Sequence, residues 1–95
     1  MSGAVDYTGW IVRAEAGRDK GKLLCVVGMD QERRLLLADG KRRKLARPKA
    51  KQIFHVKPLT GEFDRPAIHK LRRGEPLSDR ELRRTLRAFR DEMEA

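Results

Sequence analysis

The stretch that decides the fold is GWIVRAEAGRDKGK at residues 9–22, which leads directly into the apolar run LLCVV at residues 23–27. This pattern predicts two short strands joined by a basic loop. Gly17 and Gly21 bracket the loop. Glycine suits these two positions because it adopts positive φ at low cost and lets another backbone approach closely. Asp19 favours a turn, since its carboxylate accepts hydrogen bonds from nearby backbone N–H groups. The cations expected at the loop tip are Arg18, Lys20 and Lys22.

A loop of this kind, taken alone, is also typical of a solvated hairpin turn. The net charge of the whole chain favours a loop that binds a ligand over a loop that is merely solvated. Ninety-five residues form one small domain with at most an appended element, and 23 basic residues against 14 acidic ones give a net charge of +9. Such a field favours polyanions, either nucleic acid or anionic lipid.

The positive charge is concentrated in the first part of the chain. Residues 1–57 hold 14 basic and 6 acidic side chains, a net of +8, whereas residues 58–95 hold 9 and 8, a net of +1. This asymmetry predicts a basic module followed by a tail of balanced charge. We therefore expect an RNA-binding domain at residues 6–57, a connector at 58–77 and a C-terminal amphipathic helix at 78–94.

Five short strands separated by tight turns predict a mainly β fold, a small and highly curved barrel or sandwich. Asp39-Gly40 indicates a two-residue primed turn, because both positions of such a turn need positive φ. Pro48 then ends the fourth strand, since proline cannot donate to a ladder. The predicted strands lie near residues 10–12 and at residues 23–28, 34–38, 41–45 and 52–56. The second is a continuous apolar run, which is typical of a strand buried on both faces.

The tail contains one clear helix. Prolines and glycines interrupt the connector, which has room for a helical turn at residues 67–71. Ser78 and Glu81 then have the spacing of a capping box. The helix after them carries one apolar stripe, formed by Leu82, Leu86, Phe89 and Met93. A helix of this length is marginal alone, so the stripe docks either on its own barrel or on a partner protein or a groove in a larger assembly.

Catalytic and metal sites are not indicated, and we expect neither an enzyme nor a cofactor. Cys25 lies in an apolar strand, where a buried inert thiol is usual, and His55 and His69 have no ligand-type spacing. A single cysteine fits a reducing compartment. No apolar run reaches the roughly 18 residues of a bilayer span, and the first six residues lack the features of a signal peptide. The sequence therefore predicts a cytoplasmic protein with no membrane partner.

The second basic segment, residues 41–51, holds seven cations and no acid. Strand side chains alternate between faces, so these charges are best explained as an edge strand and loop lying against phosphates. The alternative is a solvated edge that resists aggregation. Aromatic residues are few: Phe54 and Phe89 are expected in the core, and the roles of Tyr7 and Trp10 stay open. Recognition is therefore expected through RNA backbone and shape rather than base identity.

These residues resemble the KOW motif of nucleic-acid-binding SH3-like barrels. GRDKGK at residues 17–22 is followed by VVG at 26–28, ADG at 38–40, RKL at 43–45, PK at 48–49 and His55. The order is similar to that in the KOW-type large-subunit ribosomal protein fourteen of archaea and eukaryotes, and to stand-alone KOW-domain proteins of bacteria. The resemblance covers roughly residues 9–57. It implies a five-stranded SH3-like barrel that binds ribosomal RNA and acts in translation, with a ribosomal protein as the partner if the helix stripe docks outside the chain.

The basic segments and the resemblance together predict a set of RNA-binding residues. The predicted residues are Arg18, Lys20, Gly21, Lys22, Lys41, Arg42, Arg43, Lys44, Arg47, Lys49 and Lys51. Two alternatives stay open. One is a transcription-elongation-type KOW module that contacts nascent RNA or polymerase, and the other is an SH3-like protein-interaction domain.

Overall fold

The computed structural model describes residues 5–94. Residues 1–4, which bear on the expectation about export signals, and residue 95 lie outside this range. The described elements are β1 (Ile11–Ala14), β2 (Leu23–Met29), β3 (Leu35–Ala38), β4 (Lys49–Lys51), β5 (Val56–Thr60), α1 (Pro66–Arg73) and α2 (Asp79–Glu94), with a 3-10 helix at Ile53–His55. No described helix is long and apolar enough to cross a bilayer.

The strands form one antiparallel sheet in the order β4-β3-β2-β1-β5. Ile11 of β1 lies opposite Cys25 of β2, and Leu36 of β3 lies opposite Ala50 of β4. The edge strands β4 and β5 do not pair with each other. The predicted five-strand count is therefore confirmed, but the sheet is open.

The sheet is strongly coiled, because residues 52–55 alone connect its two edge strands. If the sheet were flat, its edges would lie about 19 Å apart at the usual strand spacing of about 4.8 Å. Most of the connection is the 3-10 helix, which rises only about 2 Å per residue. The edges therefore curve toward each other. The N–H of Glu15 donates to the carbonyl of His55 at 3.0 Å, which ties the connection to the loop after β1.

Both faces of the sheet are buried, each in a different hydrophobic cluster. One cluster consists of Val12, Ala14, Leu24, Val26, Leu35, Leu37 and Val56. The other joins sheet residues to both helices and consists of Ile11, Leu23, Cys25, Ala38, Phe63, Ile68, Leu82, Leu86 and Phe89. Successive residues of β2 alternate between the two clusters, as strand geometry requires. The predicted burial of this strand on both faces is confirmed, and the helices cover one of those faces.

The predicted primed turn at Asp39-Gly40 is wrong, and so is the strand predicted at residues 41–45. Gly40 has positive φ, at +78°, but Asp39 does not, whereas a type I′ turn requires it at both positions. The Asp39 carboxylate instead accepts the backbone N–H groups of Lys41 at 2.9 Å and Arg43 at 2.8 Å. This local bonding competes with strand pairing. The chain leaves the sheet as a loop and returns as β4 after Pro48.

The fifth strand also lies further along the chain than predicted. Residues 53–55 form the 3-10 helix, and β5 runs from Val56 to Thr60, past the predicted domain boundary at residue 57. Pro58 lies inside β5, opposite Val12. A proline is tolerated there because β5 is an edge strand, whose outer backbone groups need no partner in the sheet.

A short helix, α1, occupies the predicted connector. It begins at Pro66, whose missing N–H costs nothing in a first helical turn. It ends at Gly74, which adopts the left-handed conformation at φ +70°. The two turns of α1 bury Ala67 and Ile68, so part of the connector belongs to the core.

The predicted capping box of α2 is confirmed. The N–H of Glu81 donates to Oγ of Ser78 at 3.1 Å, and the N–H of Ser78 donates to Oε1 of Glu81 at 3.3 Å. Oε2 of the same carboxylate accepts from Nζ of Lys70 on α1 at 2.7 Å. These bonds, that from Lys70 above all, lower the pKa of the Glu81 carboxyl. The start of α2 is therefore held by its own cap and by α1.

The apolar stripe of α2 docks on the chain's own sheet. Leu82, Leu86 and Phe89 are buried in the cluster that contains Cys25, whereas Met93 is 49% exposed. Phe89 also meets Phe63 edge to face, with ring centroids 5.2 Å apart. Three of the four side chains considered as a contact for ribosomal proteins are thus covered by this chain, and Met93 is the one left exposed.

Candidate nucleic-acid interface

Two basic loops lie side by side at one end of the sheet. The first basic loop is residues 15–22, between β1 and β2, and the second basic loop is residues 39–48, between β3 and β4. Asp19 joins them: its Oδ2 accepts from Nε of Arg43 at 3.1 Å and from Nη2 at 3.0 Å. Asp19 is only 2% exposed. Its carboxylate thus connects the loops, instead of accepting the backbone N–H groups expected from the sequence.

The second basic loop is also fastened to α2. The N–H of Leu45 donates to Oδ1 of Asp79 at 2.8 Å, and Nη1 of Arg83 donates to the carbonyl of Gly40 at 2.6 Å. Gly40 packs so closely on the helix that an added Cβ would clash with the Asp79 carbonyl oxygen. Asp19, Asp39 and Asp79 are therefore all engaged in holding the loops.

A basic groove lies between the loops and α2. Its volume is about 460 Å³. It is lined by Lys22, Leu23, Asp39, Lys41, Arg42, Arg83, Leu86, Arg87 and Arg90. Six of these nine side chains are cationic and one is acidic, and the acid already accepts two backbone N–H groups. Within residues 5–94, none of the six cations forms an ion pair with a carboxylate.

The arginines of α2 are functional candidates that the sequence analysis did not include. Arg83, Arg87 and Arg90 recur at spacings of four and three, which places them on one helical face. That spacing was the available signal. The spacing did not reveal which loop this face would meet, because four elements of the chain lie between the second basic loop and α2: β4, the 3-10 helix, β5 and α1.

Most of the predicted RNA-binding residues are exposed at this end of the molecule. The exposed ones are Arg18, Lys20, Gly21, Lys22, Lys41, Arg42, Lys44 and Arg47. Lys49 is partly buried on β4. Lys51 is buried, and its Nζ donates to the carbonyl of Ala16 at 2.7 Å. Arg43 pairs with Asp19, so Arg43 and Lys51 use donors inside the protein, where they hold the first basic loop in place.

A second, shallower depression lies on the other side of the first basic loop. It has a volume of about 390 Å³ and is lined by Ala16, Gly17, Arg34, Lys49, Ala50, Lys51, Gln52 and His55. Arg34 pairs there with Asp30 at 2.7 Å. Bonds to the Asp30 carboxylate, first from the Arg34 backbone N–H, lower the pKa of Asp30. The first basic loop thus borders both the basic groove, through Lys22, and this depression, through Ala16 and Gly17.

Phe54 does not belong to the core, contrary to the sequence expectation. Its side chain is 74% exposed, and its ring centroid lies 4.6 Å from that of His55 in an edge-to-face pair. The expectation failed because it assigned Phe54 to a half-buried strand, whereas the residue lies in the 3-10 helix. Tyr7 and Trp10, whose roles were open, meet edge to face at 5.2 Å and pack against the cluster that contains Val12.

The thiol of Cys25 is buried at the centre of the helix-facing cluster. Burial raises the pKa of this thiol to about 12, so it stays protonated at neutral pH. Among the described residues, no three His, Cys, Asp or Glu side chains are grouped as metal ligands would be.

No protein-family model matches this sequence, and neither does any curated protein.

Proposed function

We propose that this protein is a non-catalytic RNA-binding protein that contacts the backbone phosphates of structured RNA and acts in translation. The RNA we propose is ribosomal RNA. The proposal joins the resemblance to KOW proteins with the chemistry of the two basic loops. The coiled five-stranded sheet, whose edge strands are joined by four residues, supports an SH3-like barrel of the KOW type.

The single observation that carries the proposal is the basic groove. Lys22, Lys41 and Arg42 from the loops face Arg83, Arg87 and Arg90 from α2 across one cavity. Like charges held this close repel one another unless an anion lies between them. A row of phosphates supplies several such anions at a regular spacing, which a single small anion does not.

The shape of the surface favours RNA over anionic lipid. A helix that lies on a membrane needs an apolar face open to the acyl chains. The apolar face of α2 is instead buried in the helix-facing cluster, and the arginines on its other side line a concave groove. The loops are also held by ion pairs and helix contacts, so little order has to be gained on binding.

Salt dependence of RNA binding tests the proposal. If the loops and groove neutralise about five phosphates, log K falls with log salt at a slope near −3.5 for single-stranded RNA and more steeply for a duplex. Affinities are measured by fluorescence anisotropy with a folded ribosomal RNA fragment. A slope near zero would refute electrostatic binding.

Arg87→Glu and Arg84→Glu form a matched pair for this experiment. Both residues are exposed on α2, but only Arg87 lines the basic groove. We expect Arg87→Glu to weaken RNA binding, since it removes a cation from the groove. The slope of log K against log salt should become shallower by the contribution of about one phosphate contact. Arg84→Glu changes the net charge equally and should have a smaller effect. Equal effects of the two variants would place the RNA elsewhere.

The assignment to the ribosome requires a separate measurement. Wild-type protein should co-sediment with the large ribosomal subunit, and charge reversal at Lys20, Lys44 and Lys49 together should abolish this. If the protein instead co-purifies with RNA polymerase, the transcription alternative is favoured. Association that survives ribonuclease treatment would favour a protein-interaction domain.

A further inference from the structure

Phe54 is the most exposed large hydrophobic side chain in the described part of the chain, at 74%. The fold does not use its ring, since Phe54 belongs to neither hydrophobic cluster. Its backbone is nevertheless well held. The N–H of His55 donates to the carbonyl of Gln52 at 3.0 Å, and the carbonyl of His55 accepts from Glu15 at 3.0 Å. The structure thus presents an aromatic ring to solvent on a short, hydrogen-bonded turn.

The surroundings of this ring are basic rather than apolar. His55, next to Phe54, lines the depression together with Lys49, Lys51 and Arg34. Two carboxylates of this region are already paired. Glu15, whose backbone N–H donates to His55, pairs with Arg13 at 3.5 Å, and Asp30 pairs with Arg34 of the depression at 2.7 Å. An exposed ring beside cations is complementary to a nucleotide, whose base is flat and apolar on its faces and whose phosphate is anionic.

The depression is continuous with the surface proposed to bind RNA backbone, because the first basic loop borders both. Lys22 on one side of the loop lines the basic groove, and Gly17 on the other side lines the depression. A strand whose phosphates lie along this loop therefore passes close to the turn that carries Phe54.

We propose that Phe54, paired edge to face with His55, is a stacking platform for one unpaired nucleobase of the bound RNA. This inference rests on the proposed function and adds to it a feature of the target, which must carry an unstacked base next to a folded region. Stacking is tolerant of base identity, because every base has a π-face. The platform therefore selects for RNA conformation and not for sequence.

Binding of two RNA probes by Phe54→Ala tests this proposal. One probe is a hairpin with an adenine-rich loop, and the other is a blunt RNA duplex with the same number of phosphates. We expect Phe54→Ala to bind the hairpin about 5-fold to 150-fold more weakly than wild type and the duplex equally well. The salt slope for the hairpin should not change, because stacking releases no counterions. Met93→Ala removes another exposed hydrophobic side chain and should bind both probes like wild type.

Phe54→Leu and Phe54→Trp separate ring stacking from general hydrophobic contact and from any folding defect. Leucine keeps an apolar side chain but has no ring, so Phe54→Leu should lose hairpin affinity as the alanine variant does. Tryptophan should retain it, and its fluorescence should be quenched by the hairpin beyond the quenching seen in wild type. Thermal melting of each variant verifies the fold.

Each remaining outcome overturns the stacking proposal. If the folded Phe54→Ala and Phe54→Leu variants bind the hairpin like wild type, Phe54 has another role, such as contact with a protein. If they lose hairpin and duplex affinity equally, Phe54 acts on the backbone surface and not on a base. If wild-type protein binds neither RNA, the proposed function itself fails, which the duplex arm distinguishes from a failure of stacking alone.

Discussion

At the scale of single residues, Asp19 holds the two basic loops together. Its carboxylate is almost fully buried at the base of the first basic loop, and both of its donors belong to Arg43 in the second. The two partners differ in exposure, since the Arg43 side chain is 26% exposed and that of Asp19 is 3% exposed. Removal of either partner therefore has unequal consequences.

We expect Arg43→Ala to destabilise the protein more than Asp19→Ala. The first variant leaves a buried carboxylate without a partner, at a cost of about 3–5 kcal/mol. The second leaves a guanidinium that water can reach, at a cost of about 1–3 kcal/mol. Urea unfolding measures both, and the double variant should lose less than Arg43→Ala because no orphaned charge remains. A larger loss for Asp19→Ala would contradict this account.

Gly40 is the second residue on which the interface depends. It combines positive φ, at +78°, with a position at which an added Cβ would clash with the backbone carbonyl of Asp79. Gly74 has a similar φ of +70° but open space where a Cβ would be added. The two glycines therefore separate the cost of left-handed backbone from the cost of a steric clash.

Gly74→Ala should cost about 1–2 kcal/mol, the usual penalty for a non-glycine residue in the left-handed region. Gly40→Ala should cost more by several kcal/mol, because the added methyl group meets a backbone carbonyl that a side-chain rotation cannot move away. Thermal and urea unfolding of the two variants give the comparison. Equal losses would show that α2 can shift away from the loop without cost.

At the scale of elements, α2 serves the core and the interface with opposite faces. Leu82 and Phe89 pack on the sheet, while Arg83, Arg87 and Arg90 form one wall of the basic groove. The docking of the apolar face therefore sets the position of the arginines relative to the loops. A helix that could slide on the sheet would widen or close the groove.

Leu82→Ala should destabilise the protein by about 2–5 kcal/mol, since Leu82 is fully buried between α2 and the sheet. Met93→Ala, on the same stripe but 49% exposed, should change stability by less than about 0.5 kcal/mol. Both are measured by urea unfolding.

Truncation after residue 77 removes the whole helix and should lower the melting temperature. An unchanged melting temperature would mean that the helix does not dock on its own sheet.

At the scale of the whole molecule, the charge distribution favours binding at the expense of stability. The chain carries a net charge of +9, and the cations that line the groove have no acidic partners among the described residues. Self-repulsion of this kind destabilises a folded chain and is weakened by salt. The same repulsion is relieved when phosphates enter the groove.

We therefore expect the melting temperature of the free protein to rise with added NaCl, the opposite of the effect of salt on RNA binding. Arg87→Gln should be as stable as wild type or slightly more stable, because it removes a like-charge pair with Arg83 worth a few tenths of a kcal/mol. Its melting temperature should also depend less on salt. Differential scanning calorimetry across a salt series measures these effects. A melting temperature that falls with salt would show that net attraction, not repulsion, dominates the surface.

The sequence by itself determined the number of strands, the C-terminal helix and the sign of the surface charge. The apolar run at residues 23–27, the glycines around the first basic loop and the Ser78 cap are local patterns, and local patterns act through short-range sterics and hydrogen bonds. They predicted five strands and a C-terminal helix. Most of the cations singled out in the two basic segments are indeed exposed.

Only the tertiary structure decided which of those cations are free and what lies beside them. Arg43 and Lys51 find acceptors on residues more than twenty positions away, and the arginines of α2 reach the second basic loop across four intervening elements. Asp39 and Phe54 were misread because a short apolar or turn-like segment is compatible with more than one local structure. The choice between them follows from long-range packing, the closure of a coiled sheet and the docking of α2, which no local pattern contains.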